Sequence, residues 1–341
     1  VIWNNIRGHA EQVEMFRRAI RRNRMSHAYL FHGPAGIGKR LFARTLAQCL
    51  FCSRVPDDDL DACGECNNCR QMQAGSHTDY HEVERKKDKA ELLIKQFVGD
   101  DKHRGREGLC YDISRSPMSS ERRIAVIDDA DTITDEAANS FLKTLEEPPS
   151  YATLILISEE PDSQLPTIRS RCQDVRFAPL SEPDVAELLL ATGQVESDAE
   201  AREIAAVSDG SLTIAGQLLD PAFRELRQTI HSTLANDNFH SGEVADAVTG
   251  VITSCGDMPA QRKAAVWAVR FCIEYFDEQL RAGTESGPYR ARPVAPEQLE
   301  TLGRLMDRAA ETTRQIEGNL QVALCLQALF HDLGRLARSP G

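Results

Sequence analysis

The chain has 341 residues, of which 41% are hydrophobic and 27% charged, with a formal net charge of -12. That length suits two or three domains, each with its own core. No apolar run approaches the roughly eighteen residues of a membrane span, nothing in the first residues resembles a signal peptide, and the expected location is the cytoplasm. So acidic a chain excludes a protein that grips nucleic acid with its whole exterior; the local cluster Arg17, Arg18, Arg21, Arg22 and Arg24 reads first as a solvated helix face.

In chain order, the first strong signal is AYLFH from Ala28 to His32, a short buried strand, followed by GPAGIGKR from Gly33 to Arg40 and a helical pattern from Leu41 to Leu50. A strand, a glycine loop and a helix N-terminus together aim free N–H groups and the helix dipole at an anion. Gly33, Gly36 and Gly38 let the backbone approach phosphate oxygens, and Lys39 offers a point charge to the outer phosphates. The full pattern is G-x-x-x-x-G-K-[ST]. Its last member, a hydroxyl that ligates magnesium, is Arg40 in this chain.

Cys52, Cys63, Cys66 and Cys69 follow as C-x10-C-x2-C-x2-C in a segment rich in Gly, Asn and Asp. Thiolates at that spacing converge on one tetrahedral zinc, and four of them close its shell, which makes the site structural. Cys49, one helical turn from Cys52, is an alternative fourth ligand. Cys110, Cys172, Cys255, Cys272 and Cys325 are scattered singly and read as small buried apolar residues.

Further on, Glu91 to Val98 reads as helix and Asp100 to Arg123 as a polar stretch with short apolar interruptions. RIAVID from Arg123 then gives a buried strand ending in acids, where Asp128 stands on the metal side of a phosphate loop and Asp129 where a base orients water. Asp131 and Thr134 are candidate caps for a helix from Asp135 to Glu147, which Pro148 and Pro149 stop. ATLILI from Ala152 is another continuous strand, Ser158 directly after it is a candidate phosphate sensor, and Gln173 to Phe177 supplies a last strand. Short apolar strands alternating with amphipathic helices describe an α/β fold with a parallel sheet covered on both faces. Beyond Pro179 only helices are expected: Pro183 to Ala191, Ala199 to Val207, Leu212 to Leu219, then longer ones including Ala260 to Arg281 and Pro296 to Arg338 with a break near Gly318. A Gly- and Pro-rich loop runs from Gly283 to Pro296.

The ordered set WNNIRGH at Trp3, HAYLFHGPAGIGK, the cysteine module, IDDAD, NSFLKTLEEPP from Asn139 and LPTIRSRC ending at Cys172 resembles the clamp-loader branch of the AAA+ family. The resemblance is strong to about residue 180 and rests on helical pattern beyond it. It implies an AAA+ nucleotide-binding domain over 1–179 with a zinc module at about 49–72, a small three-helix lid over 180–220, and an all-α collar over 221–341. It also implies a subunit of the bacterial replicative DNA polymerase III holoenzyme that helps load a sliding clamp onto primed DNA. The partners implied are gamma or tau and delta subunits, the clamp and primer-template DNA.

In that family the triplet matching Ser170, Arg171 and Cys172 carries an arginine finger, which acts in trans on a neighbour's nucleotide. Clamp-loader ATPases also place a sensing arginine in a G-S-L-R run, which here reads Gly210, Ser211, Leu212, Thr213. With the metal hydroxyl and the sensor both missing, the expectation is a non-hydrolysing stator within an ATPase complex, whose own ATP or ADP with Mg2+ is doubtful. A self-sufficient ATPase motor is the alternative. A zinc-dependent nucleic-acid adaptor is a second, disfavoured because Asp57, Asp58, Asp59 and Asp61 between the ligands repel phosphate.

Overall fold

Five strands, β1 (Ala28–His32), β2 (Tyr80–Val83), β3 (Arg123–Ile127), β4 (Ala152–Ser158) and β5 (Gln173–Arg176), pair in parallel in the order β2-β3-β4-β1-β5. The inner strands are buried on both faces, and their side chains alternate accordingly. Ala28 and Leu30 of β1 join Ala125, Ile127, Leu154 and Leu156 in one core. Tyr29 and Phe31 face the other way, into an aromatic cluster where Phe16 lies 5.0 Å from Tyr29 and 5.8 Å from Phe31, ring to ring. Two covered faces are why these strands read as unbroken apolar runs. In this computed structural model the described residues are 2–86, 91–100, 102–159, 161–235, 241–284, 296–318 and 320–338. They fall into two compact units, Val1–Gly216 and Gln217–Gly341.

In the first unit α1 (Ala10–Arg21) precedes β1, and the strands are joined by α2 (Lys39–Phe51), α3 (Asn67–Ala74), α4 (Ile94–Val98), α5 (Leu109–Ser114), α6 (Asp135–Glu146) and α7 (Pro166–Arg169). Phe42 of α2 completes the aromatic cluster, 5.9 Å from Phe31, 5.1 Å from Phe177 and 5.0 Å from Trp3. Trp3 Nε1 also donates to the Leu60 carbonyl at 2.6 Å, pinning the cysteine-bearing loop to the chain's first turn. On α1, Arg17 and Arg18 pair with Glu14 on the same helix, as a solvated face would. Thr134 caps α6 by accepting from the Ala137 N–H at 3.3 Å. The expected helix over Glu91 to Val98 is shorter, because Leu92 bridges Ile133 in parallel and leaves only Ile94–Val98 helical. Two more helices, α8 (Glu182–Ala191) and α9 (Asp198–Ala206), are capped by Ser181 and Ser197, and the unit ends within a third, α10 (Leu212–Leu218).

The second unit holds α11 (Pro221–Leu234), α12 (Ser241–Ser254), α13 (Met258–Thr284), α14 (Pro296–Glu317) and α15 (Val322–Arg338). The break expected near Gly318 separates α14 from α15. Residues 285–295, the body of the expected loop between Gly283 and Pro296, lie outside the described residues. Phe223, Leu226 and Ile230 form the buried stripe of α11, at the spacing of one helix face. Arg227 pairs with Glu274 at 2.6 Å and Arg308 with Asp332 at 2.7 Å, tying α11 to α13 and α14 to α15.

At the edge of the sheet the fully buried Asp79 accepts from the N–H groups of Met118 at 2.8 Å, Ser119 at 2.7 Å and Ser120 at 2.9 Å. Arg123, 3% exposed, approaches it at 3.6 Å. Burial raises the Asp79 carboxyl, but the three N–H donors outweigh it and hold it below the ordinary range. Asp79→Ala strands those donors, and chemical denaturation should show a loss of about 3 kcal/mol, with Asp79→Asn losing less because one amide oxygen still accepts. Since the folded carboxyl is depressed, its contribution is complete at neutral pH and disappears as pH falls below about 4 through the folded value. Stability of the Asp79→Asn variant should therefore depend less steeply on pH in that acid range.

Candidate functional site

A parallel sheet puts the carboxyl ends of its strands on one side, which is where open α/β sheets bind ligands. The loop after β1, the acids after β2 and β3, and Ser158 at the end of β4 meet there. Gly33, Gly36 and Gly38 all have positive φ, at 147°, 72° and 94°. At Gly36 the lack of a side chain is also steric, since a Cβ would lie 2.4 Å from the backbone nitrogen of Thr213. The carbonyls of the loop turn outward: the Ser211 hydroxyl donates to Ala35 O at 2.7 Å, the Leu212 N–H to Gly36 O at 3.0 Å, and the buried His9 ring to Ile37 O at 2.7 Å. Because a carbonyl only accepts, His9 carries its proton on Nε2. Burial holds its pKa below the usual value, which favours the neutral ring. Among the described residues the backbone N–H groups of Gly36, Ile37, Gly38 and Lys39 have no protein partner, and this is the donor set a phosphate takes up.

Lys39 is buried, with its ammonium donating to the carbonyls of Gly33 and Pro34 at 2.7 Å for the latter. Burial pulls its pKa down, opposed by Glu159, Asp128, Asp131 and Asp129. The next residue departs from the phosphate-loop pattern. Arg40 reaches across the sheet's end: its Nε donates to Glu82, and its Nη1 lies 2.6 Å from Glu84 and 3.4 Å from Asp128. Burial and the neighbouring Asp129 push the Asp128 carboxyl up, and Arg40 pulls against them. Asp129, at φ 52°, pairs with Arg85 at 3.2 Å. The loop therefore fits a phosphate group, whereas the acid expected to hold magnesium is already engaged by a guanidinium, and magnesium does not fit.

Glu82, Glu84 and Arg85 are partners that sequence reasoning missed, because β2 was not recognised as a strand. Asp131, expected as a helix cap, instead accepts from the Ser158 hydroxyl, from the Glu159 N–H at 2.9 Å and from Gln164 at 3.2 Å. Arg171 lies apart from the loop, after α7. Its guanidinium donates to Glu146 at the end of α6 at 2.5 Å and to the Thr167 carbonyl at 2.7 Å, and its side chain is 33% exposed. A cavity of about 450 Å3 beside the loop is lined by Gly36, Gly38, Lys39, Arg40, Arg44 and Leu212.

The Sγ atoms of Cys52, Cys63, Cys66 and Cys69 all lie within 4.8 Å of one another. The edge of a tetrahedral zinc–thiolate site is about 3.8 Å, so this set fits a zinc ion after slight contraction. Cys49 is outside the group, and burial pushes its thiol up, so of the two candidates for a fourth ligand it is Cys52 whose sulfur clusters with the other three. Backbone N–H groups already serve the sulfurs, Cys63 N to Cys52 at 3.4 Å and Cys66 N to Cys63 at 3.3 Å. Burial disfavours the Cys66 thiolate, but N–H groups of Cys69 and Ser53 outweigh it and bring that thiol to about 6. Asn68 on α3 donates to Phe51 O at 2.8 Å, fastening the cluster to α2. Of the scattered cysteines, Cys272 and Cys325 are buried as expected, while Cys110, Cys172 and Cys255 are partly exposed.

The model of the family described as "DNA polymerase III, delta subunit" matches residues 8–181, just over half of the chain. The DNA polymerase III subunit delta' of Pseudomonas aeruginosa is 34% identical over 206 residues, covering 60% of this chain and 59% of that protein. The subunit delta' of Bacillus subtilis is 34% identical over 178 residues, covering 52% and 50%. The chain thus spans between half and three fifths of the length of these curated relatives. A solved structure from Thermotoga maritima, a DNA polymerase III gamma subunit-related protein, is 19% identical with a TM-score of 0.48, covering 96% of this chain and all of that one. By the matched family model and these relatives, the chain belongs to the DNA polymerase III delta subunit family, on its delta prime, clamp-loader branch.

Proposed function

We propose that this chain is the non-hydrolysing stator of a clamp loader, a complex that uses ATP to open a sliding clamp and place it on primed DNA. The observation that carries the reading is Arg40 bound to Asp128: the residue that should ligate magnesium is a cation, and it neutralises the acid that should do the same. Thr213 supports it from the other side. It packs against Gly36 where a working subunit has a phosphate-sensing arginine. The loop is then a nucleotide cradle for ATP or ADP, while Asp129 and Ser158, tied to Arg85 and Asp131, are not free to organise an attacking water.

In this reading residues 1–179 are the nucleotide-binding domain, 180–220 the lid and 221–341 the collar that closes a ring with gamma or tau and delta subunits in the cytoplasm. Arg171 is the group offered to a neighbour. Its bond to Glu146 is partly exposed, and a γ-phosphate approaching from another subunit competes for the same guanidinium. Zinc on Cys52, Cys63, Cys66 and Cys69 is structural, holding the loop from Cys52 to Cys69 that carries little apolar surface.

In a reconstituted complex, Arg171→Ala should lower DNA-stimulated ATP turnover at the adjoining site by about a thousandfold, the scale of an arginine finger. ATP turnover by the isolated chain that Lys39→Ala abolishes would overturn the stator reading. For the metal, elemental analysis of the purified chain should give one zinc per molecule. Chelation or Cys66→Ser should remove it and lower the melting temperature by about 5 °C or more.

A further inference from the structure

In a magnesium-dependent phosphate loop, the residue after the lysine gives a hydroxyl to the metal, and the acid after a neighbouring strand holds the metal from the other side. Here a guanidinium takes that place. Arg40 reaches Glu82, Glu84 and Asp128, which stand at the ends of two adjacent strands. A divalent ion brought to Asp128 would have to displace a cation held by three carboxylates, and position 40 would offer it no hydroxyl. The arginine nevertheless keeps 48% of its side-chain surface exposed, and it lines the loop cavity beside Lys39 and Arg44. Its fixed planar fork can serve the carboxylates with some donors and leave others for a phosphate oxygen.

We propose that Arg40 is a built-in substitute for magnesium, so that this loop takes the polyphosphate of a nucleotide as the metal-free anion. This rests on the cradle reading given above and specifies its ligand. The loop supplies the partnerless N–H groups of Gly36, Ile37, Gly38 and Lys39. Lys39, Arg40 and Arg44 supply the charge that a magnesium ion otherwise brings with the nucleotide. Arg40 also reduces the repulsion that Glu82, Glu84 and Asp128 would exert on an unaccompanied polyanion.

The test is a titration of this 341-residue chain, zinc-loaded, with a fluorescent ATP analogue, once with magnesium and once in buffer freed of magnesium beforehand with no chelator added, so that the cysteine cluster keeps its metal. Wild type should bind with affinities within about twofold of each other, and inorganic pyrophosphate should compete in the magnesium-free buffer. Arg40→Ser should bind about tenfold or more weakly without magnesium and regain affinity when magnesium is added. Wild-type binding that requires magnesium overturns the inference, and so does the absence of binding under both conditions. If Arg40→Ser does not fold, the wild-type comparison decides alone. A magnesium requirement without turnover leaves the stator reading standing, whereas turnover by the isolated chain removes that reading whatever the metal dependence of binding.

Discussion

The ends of β2 and β3 bring Glu82, Glu84, Asp128 and Asp129 to one side of the phosphate loop, and so dense a group of acids requires a cation. Like charges a few ångströms apart repel by several kcal/mol even at the intermediate dielectric of a protein surface. An ordinary member of such a site recruits a metal with its substrate. This chain carries its counter-ion in α2, covalently. The consequence is structural as well as chemical, since the Arg40 side chain joins the first turn of α2 to the two strands on the far side of the sheet. The start of α2, and with it the loop between β1 and α2, is thereby tethered by the protein's own charges.

The opposite wall of the loop is fixed by contacts of another kind. Ser211 and Leu212 hydrogen-bond the outward carbonyls of Ala35 and Gly36, and Thr213 sits where a Cβ on residue 36 would have to go. An arginine at 213 would project a long charged chain over the cavity. The short threonine lets the backbone of α10 close directly onto glycine. Positions 213 and 40, well separated in sequence, thus bear on the same loop, one through packing and the other through charge.

Much of this was legible in the sequence, for physical reasons that also mark where legibility ended. β1, β3 and β4 announce themselves because both of their faces are covered, so the positions between their ends are mostly apolar. β2 lies at the sheet's edge, with only Val83 of its four residues buried, and Tyr-His-Glu-Val has no such run. Missing β2 concealed Glu82 and Glu84, and with them the partners of Arg40; the departure from pattern at position 40 was visible, but what it bonded to was not. Asp131 looked like a helix cap because it precedes a helix, yet caps are chosen locally and this carboxylate was claimed by Ser158 and Gln164 from the next strand and loop. The cysteine cluster was readable because metal ligation fixes residue type and spacing together. The choice of Cys52 over Cys49 needed coordinates, since one helical turn separates them and only one points its sulfur at the other three.

Trp3 has a further use. The chain contains two tryptophans, and each belongs to a different compact unit. Trp3 is buried against Phe42, directly behind the phosphate loop, and is hydrogen-bonded to Leu60 in the cysteine-bearing segment. Trp267 is buried against Phe271 and Phe223, with the Arg270 guanidinium 5.2 Å from its ring centre. Indole emission depends on exactly such surroundings, so the molecule carries one intrinsic optical reporter per unit. Replacing either ring by phenylalanine isolates the spectrum of the other, and what happens at the loop can then be watched separately from what happens among the helices that follow it.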